Sequence, residues 1–227
     1  MTKIYVAGIA MTVFGRHPER SLEDLAGEAL NRALADAGCT APQIGVAYYS
    51  GMTNGTLQGQ ISIPGQVIFS KIGIEGIPVY NVENACASGS SAFNLAVQSL
   101  KAGTADVALA IGAEKMNIPD KAKAFAIFEG GWDVSRAEAN AAVLLKMGEG
   151  ITPPPGSESD KPYSKFMAIY AAFCRWHMKT YGTTQRQIAA VCAKNHQHSV
   201  HNPWSQFRKP FTVDEVLSAP PITYPIT

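Results

Sequence analysis

The stretch Val82-Glu83-Asn84-Ala85-Cys86-Ala87-Ser88-Gly89-Ser90-Ser91-Ala92-Phe93 decides how this chain is read. An apolar run at residues 77–82 gives way here to a helical pattern at residues 88–100, and Cys86 stands at the junction among small residues. A strand that turns tightly into a helix presents a side chain at the reversal, where free helical N–H groups stabilise a thiolate. Of the four cysteines, Cys39, Cys86, Cys174 and Cys192, this is the one placed for chemistry. The plain alternative is a small buried apolar residue, which is what free cysteine usually is.

The elements around the stretch build a parallel α/β core. Residues 4–8 are short, β-rich and end in Gly8, which predicts a buried first strand. Ser21-Leu22-Glu23-Asp24 reads as a capping box in which Asp24 replaces the usual Glu or Gln. Behind it Leu22, Leu25, Ala29, Leu30, Ala33 and Leu34 recur at helical spacing until Gly38. Residues 44–50 give a second strand, so a β-α-β unit with a parallel sheet is expected. Residues 51–65 are loop-like, and a short helix from Pro64 to Lys71 follows because proline suits a first helical turn. Residues 77–82 form the third strand. The helix after Cys86 carries Ala92, Phe93, Ala96, Val97 and Leu100 with small residues on most faces, which predicts burial all round. Gly103 ends it, and residues 107–112 form a continuously apolar fourth strand.

Beyond Met116 the character changes. Residues 117–131 mix lysines, alanines and glycines, and residues 136–147 read as a helix. Residues 148–162 contain Pro153-Pro154-Pro155-Gly156 and form an exposed loop. A helix spans residues 163–181 up to Gly182, and Thr184 with Gln187 caps another to about residue 197. The expected organisation is a core domain over 1–116, a mostly helical sub-domain over 117–220, and the start of a return strand in 221–227.

Composition narrows the function. The 227 residues include 46% hydrophobic and 16% charged residues, with a net charge of +1 from 19 Lys+Arg against 18 Asp+Glu. A nucleic-acid footprint would need a basic stripe, so no nucleic-acid partner is expected. The cysteines lie far apart with no C-x-x-C pair, which fits a reducing compartment. No run approaches membrane-spanning length and the opening residues lack a signal-peptide core, so a cytoplasmic protein is the expectation. Neither G-x-x-x-x-G-K-S/T nor G-x-G-x-x-G occurs. His196-x-His198-x-x-His201 has no second cluster of ligands to complete a metal site, so no metal is read there. From the residues alone His196 and His198 are hydrogen-bonding groups of a helix end.

Two blocks carry a resemblance. Residues 84–90, followed by Gly103-Thr104-Ala105-Asp106-Val107-Ala108-Leu109-Ala110-Ile111-Gly112-Ala113-Glu114-Lys115-Met116, resemble the thiolase superfamily. Residues 195–207, Asn195-His196-Gln197-His198-Ser199-Val200-His201-Asn202-Pro203-Trp204-Ser205-Gln206-Phe207, match its sterol-carrier, or lipid-transfer-protein, branch. The resemblance implies a layered α-β-α fold, a mixed sheet flanked by helices with an inserted helical loop domain that covers the active site and holds CoA. It implies Cys86 as the nucleophile that takes an acyl group from acyl-CoA, its own N–H helping to form an oxyanion hole. It adds Ser88, Gly89, His196 and His198 as candidate substrate or CoA contacts. A coenzyme A thioester is then a substrate, and no permanently bound cofactor is expected. Lys161, Lys165, Arg175, Arg208 and Lys209 suit CoA phosphates or equally an ordinary solvated face.

The resemblance also shows what these residues do not supply. Thiolases carry a His-Asp/Glu-x-Phe-type motif, a Gly-His-Pro histidine and a Cys-x-Gly cysteine in a second half, and none of these occurs here. An unassisted thiol is only a few per cent ionised at neutral pH, and Claisen condensation needs a base. The expectation is therefore a homodimer or hetero-oligomer with a chain supplying the C-terminal half, or a piece of a longer product. Two other readings stand beside acyl transfer: an aldolase subunit acting on steroid side-chain CoA thioesters with an acyl-CoA-binding partner, and a non-catalytic thiolase-like half.

Overall fold

The computed structural model describes residues 3–227. Packing divides the chain into two units, Met1–Ile127 and Phe128–Thr227.

The first unit is organised on a parallel sheet of three strands, β1 (Val46–Ser50), β2 (Val79–Val82) and β3 (Ala108–Gly112), in the order β2-β1-β3. Tyr48 of β1 lies opposite Tyr80 of β2 and Ala110 of β3. Every residue of β1 is buried, as a central strand covered on both faces must be. Alternation along β1 sorts the layers. Ala47 and Tyr49 pack under helix α1 (Leu22–Ala37) with Leu22, Ala26 and Leu30, and under α3 (Pro64–Lys71) with Ile68 and Phe69. Val46 and Tyr48 pack with Val82 against Ala92 and Ala96 of α4 (Ser88–Lys101). The result is the layered α-β-α arrangement. Among the described residues every pairing in this sheet is parallel, so no antiparallel member of a mixed sheet is among them.

Local chemistry explains the helix ends. Ser21 Oγ accepts from the Asp24 N–H at 3.1 Å while Asp24 accepts from the Ser21 N–H at 2.8 Å, closing the capping box. Gly38 ends α1 in the left-handed region at φ 64°, where a side chain is disfavoured.

Two expectations are corrected. Residues 4–8 form no strand. A strand exists only where a neighbour pairs with it, and this segment lies against α1 instead: a Cβ on Gly8 would stand 2.2 Å from the Ala33 carbonyl oxygen. Its main-chain anchor is the Ile9 N–H, which donates to Asp36 Oδ2 at 2.9 Å. The second correction concerns α4, which is buried along one stripe, Ser88, Ala92 and Ala96, and not all round. Phe93 is 50% and Leu95 40% exposed, because among the described residues of this unit no helix or strand covers the outer face of α4.

The second unit is helical: α6 (Ala137–Lys146), α7 (Lys165–Tyr181), α8 (Gln185–Val200) and the short α9 (Val213–Leu217). A short α5 (Lys121–Glu129) crosses the division, and a one-turn α2 (Asn54–Gln58) lies in the first unit; neither these nor α9 is expected from the sequence. Thr184 and Gln187 form the expected capping box on α8, and Gly182 ends α7 at φ 72°. Arg175 and Lys179 of α7 hold the neighbouring loops by donating to main-chain oxygens of Tyr224 at 2.5 Å and Glu149 at 3.0 Å. Residues 221–227 make a turn in which Thr223 bridges both Glu158 and Ile226. Among the described residues no helix is long and apolar enough to cross a membrane.

Candidate active site

The candidate site forms where β2 ends. Parallel strands place their connecting loops at the sheet's carboxyl edge, where open α/β sheets hold ligands. After Val82 the chain makes a single 3-10 turn, Ala85–Ala87, and enters α4 at Ser88. Ala85 adopts φ 46°, a left-handed conformation that is uncommon for a residue with a Cβ.

Four side chains brace that turn. The Glu83 carboxylate accepts from the Ala85 N–H at 2.6 Å. The buried Ser88 hydroxyl accepts from the Asn84 N–H at 2.8 Å and donates to the Ala85 carbonyl at 2.7 Å. Asn84 Nδ2 donates to Ser91 Oγ at 3.0 Å, tying the turn to the second turn of α4. Together these hold a strained residue next to an exposed cysteine, an arrangement found at functional sites.

Cys86 lies exposed at the tip of the turn, in front of the N-terminus of α4. Among the described residues its N–H meets no acceptor. Gly89 follows on the first helical turn, and a Cβ built there meets no heavy atom within 4 Å, so the space beside the cysteine is open. Cys174 is the contrast: it is half-buried on α7, and burial pushes its thiol up.

Hydrogen bonds tie down the adjacent loops of the same edge. Glu114, just past β3, accepts from the N–H groups of Met52 at 2.7 Å and Thr53 at 3.1 Å. The Tyr49 hydroxyl donates to the Ala113 carbonyl at 2.9 Å and accepts from Asn54 Nδ2 at 2.6 Å. Burial pushes that phenol up to about 12. The sequence reading did not single out Glu83, Asn84 or Glu114. The Ser88 hydroxyl, named there as a substrate contact, is occupied on both its donor and acceptor sides by the turn.

The structure gathers Cys86, Ser88 and Gly89 at one turn of the first unit, while His196 and His198 belong to α8 of the second. The His196 ring packs edge-on against Phe211 at 4.8 Å between centroids, and its carbonyl accepts from Ser199 Oγ at 2.8 Å. The His198 carbonyl accepts the His201 N–H at 3.1 Å, at the helix end. Among the described residues no three His, Cys, Asp or Glu side chains converge as metal ligands. Of the cations considered for phosphates, Lys165 pairs with Glu138 at 2.7 Å and Lys209 lies over the Phe211 ring at 5.0 Å.

These features define a class: an α-β-α layered protein with an exposed cysteine at the carboxyl edge of a parallel sheet. Residues 4–218 match the family described as Thiolase, N-terminal domain, and the chain belongs to the thiolase superfamily. Sterol carrier protein 2 of Bos taurus is 33% identical over 226 residues, covering 96% of this chain and 37% of that protein. An acetyl-CoA acetyltransferase of Methanothermobacter thermautotrophicus is 30% identical over 227 residues, covering all of this chain and 52% of its own. Among solved structures the Ltp2-ChsH2(DUF35) aldolase superposes with a TM-score of 0.64 at 22% identity over 97% of this chain and 50% of that one. An acetyl-CoA acetyltransferase from Syntrophomonas wolfei gives 0.55 at 23% identity over 86% of this chain and 46% of that one. At such identities the two superpositions establish the fold. The chain thus spans about a third to a half of the length of these relatives.

Proposed function

We propose that this chain carries the acyl-accepting cysteine of a thiolase-type acyltransferase acting on coenzyme A thioesters. The observation that supports this most is the braced turn that leaves Cys86 exposed beside an N–H with no acceptor. In the proposed step the Cys86 thiolate attacks the thioester carbonyl carbon, and the carbonyl oxygen takes up negative charge facing the Cys86 N–H. The tetrahedral adduct collapses, the bond to the coenzyme A sulfur breaks, and coenzyme A leaves as a thiolate that takes the proton given up by the cysteine. The acyl group remains on Cys86 as a thioester. Ser88 serves this step by holding the turn, and Gly89 by leaving room for the incoming thioester. His196 and His198 are proposed to contact substrate or coenzyme A. The condensation or cleavage half of the cycle needs a base, proposed to come from a thiolase C-terminal half in a homodimer or hetero-oligomer.

The test is acetyl-CoA incubated with the full chain, with and without such a C-terminal half, followed by peptide mass analysis. One acetyl group on the peptide containing Cys86, absent from Cys86→Ala, is the expected result. An unmodified Cys86 in the presence of the completing half sinks the proposal. Retro-aldol cleavage of a steroid side-chain CoA thioester that survives Cys86→Ala would assign the chain to aldolase chemistry instead.

A further inference from the structure

Two peptide units meet at Ala85, and each is planar, with its C=O and N–H pointing in opposite directions. The first joins Asn84 to Ala85. Its carbonyl accepts the Ala87 N–H at 2.9 Å, and its N–H donates to the Glu83 carboxylate at 2.6 Å. The second joins Ala85 to Cys86. Its carbonyl accepts from the Ser88 hydroxyl at 2.7 Å and from the Ser88 N–H, so its other end, the Cys86 N–H, points away from those bonds. The Asn84 N–H is taken by Ser88 Oγ at 2.8 Å. Among the described residues, the Cys86 N–H is thus the one main-chain donor between residues 84 and 88 with no acceptor.

Both carbonyls are held by the turn and by α4, but the Ala85 N–H depends on one exposed side chain, Glu83. The sheet fixes the base of that side chain, because Val82 directly before it pairs with Ser50 of β1. The bond matters because Ala85 sits at φ 46°, which its Cβ disfavours. A flip of the Asn84–Ala85 peptide is the short route out, since it changes little beyond ψ of Asn84 and φ of Ala85. The flip would turn the Asn84 carbonyl to where the Ala85 N–H now points. An acceptor would then replace a donor next to the Cys86 N–H, and negative charge developing on a thioester oxygen there would meet a dipole of the wrong sign. A hydrogen bond to an ionised acceptor is roughly twice as strong as a neutral one, and Glu83 supplies such an acceptor against the flip.

We propose that Glu83 is a positioning residue for acyl transfer: its carboxylate latches the Asn84–Ala85 peptide and so keeps the Cys86 N–H aimed at the thioester oxygen. The role rests on the acyl-transfer reading and gives Glu83 no contact with substrate and no part in moving a proton. The latch needs an acceptor oxygen at residue 83, and it is needed only while residue 85 bears a Cβ. Those two conditions separate it from general support of the fold.

The test compares two reactions of Cys86 on the full chain with the completing C-terminal half. Acetylation by acetyl-CoA places negative charge on a carbonyl oxygen, whereas alkylation by iodoacetamide displaces iodide and places none there. Both consume the thiolate, so the ratio of their rates cancels any change in thiol ionisation. Glu83→Ala is expected to lower that ratio at least about tenfold. Glu83→Gln, whose carboxamide oxygen accepts the same N–H, is expected to keep it within about threefold. With Ala85→Gly already in place the left-handed backbone carries no strain, and adding Glu83→Ala is expected to lower the ratio by no more than about threefold. In the unaltered chain, residue-resolved amide exchange is expected to be at least about tenfold slower at Ala85 than at Cys86. Should Glu83→Ala not fold, Glu83→Gln and the exchange rates decide. An unchanged ratio in Glu83→Ala, a tenfold loss in Glu83→Gln, an undiminished loss beside Ala85→Gly, or equal exchange at the two amides overturns the proposal and leaves the acyl-transfer reading standing. An unaltered chain that is alkylated but not acetylated overturns both.

Discussion

The Ser88 hydroxyl donates to the Ala85 carbonyl at 2.7 Å, so the first residue of α4 holds in place a non-glycine residue at φ 46°. The same oxygen accepts the Asn84 N–H. Ser88→Ala leaves that donor and that acceptor without their partner at a part-buried position, and the expected loss is about 0.5–1.5 kcal/mol of stability. Urea unfolding checks that figure. Acetylation of Cys86 by acetyl-CoA is expected to slow in parallel, because the turn no longer fixes the cysteine. Unchanged acetylation at reduced stability would confine Ser88 to folding.

Ala85 gives a prediction of the opposite sign. A left-handed conformation costs a residue with a Cβ roughly 1–2 kcal/mol, while glycine loses about 0.4–1 kcal/mol more chain entropy on folding than alanine. The first effect is the larger, so Ala85→Gly is expected to raise stability by up to about 1 kcal/mol in the same unfolding experiment. A loss of similar size would mean that Glu83 and Ser88 hold the turn without strain at Ala85.

Much of this was legible in local sequence. The Ser21–Asp24 box, the Gly38 and Gly182 stops, Pro64 at the start of α3 and the Cys86 turn all follow from residues within a few positions of one another. What was not legible depends on distant partners. Residues 4–8 have strand composition, but pairing is a tertiary property and the edge of β3 does not reach them. The small residues of α4 suit a helix covered on any side, and only the packing shows that one stripe alone is covered. Glu114 lies about sixty residues from the N–H groups it meets, beyond any local pattern. The helices α2 and α9 are too short for a periodic signal.

Two glycines should respond oppositely to alanine. A Cβ on Gly65 would stand 2.6 Å from the Tyr49 Cβ and 2.8 Å from Asn81 Oδ1, which accepts the Gly65 N–H. Neither neighbour can retreat without disturbing β1 or β2, so Gly65→Ala is expected to cost about 1–3 kcal/mol. Gly89 has open space around it within α4, and Gly89→Ala is expected to gain roughly 0.5–1 kcal/mol from helix propensity. If that space admits the thioester, Gly89→Ala also slows acetylation of Cys86 by acetyl-CoA more than alkylation by iodoacetamide. Equal effects on the two reagents would count against a substrate role for the space.

Tyr49 gives the first unit an expected dependence on alkaline pH. It is 1% exposed, and burial pushes its phenol up to about 12, above the ordinary value of 10.0. A folded-state value above the unfolded one means that the neutral phenol favours the fold below pH 10 and that this contribution fades as pH rises through the folded value. Between about pH 10 and pH 12 the unfolded chain loses the Tyr49 proton and the folded chain keeps it, so stability is expected to fall by about 2 kcal/mol. Tyr49→Phe removes the ionising group. It also removes the bonds to Ala113 and Asn54, so it is expected to start less stable at pH 8 and to show a shallower decline across the same window. Urea midpoints for both proteins at half-unit steps from pH 8 to pH 12 make the comparison. Parallel curves would show that the alkaline decline arises from other groups and that the Tyr49 phenol does not control it.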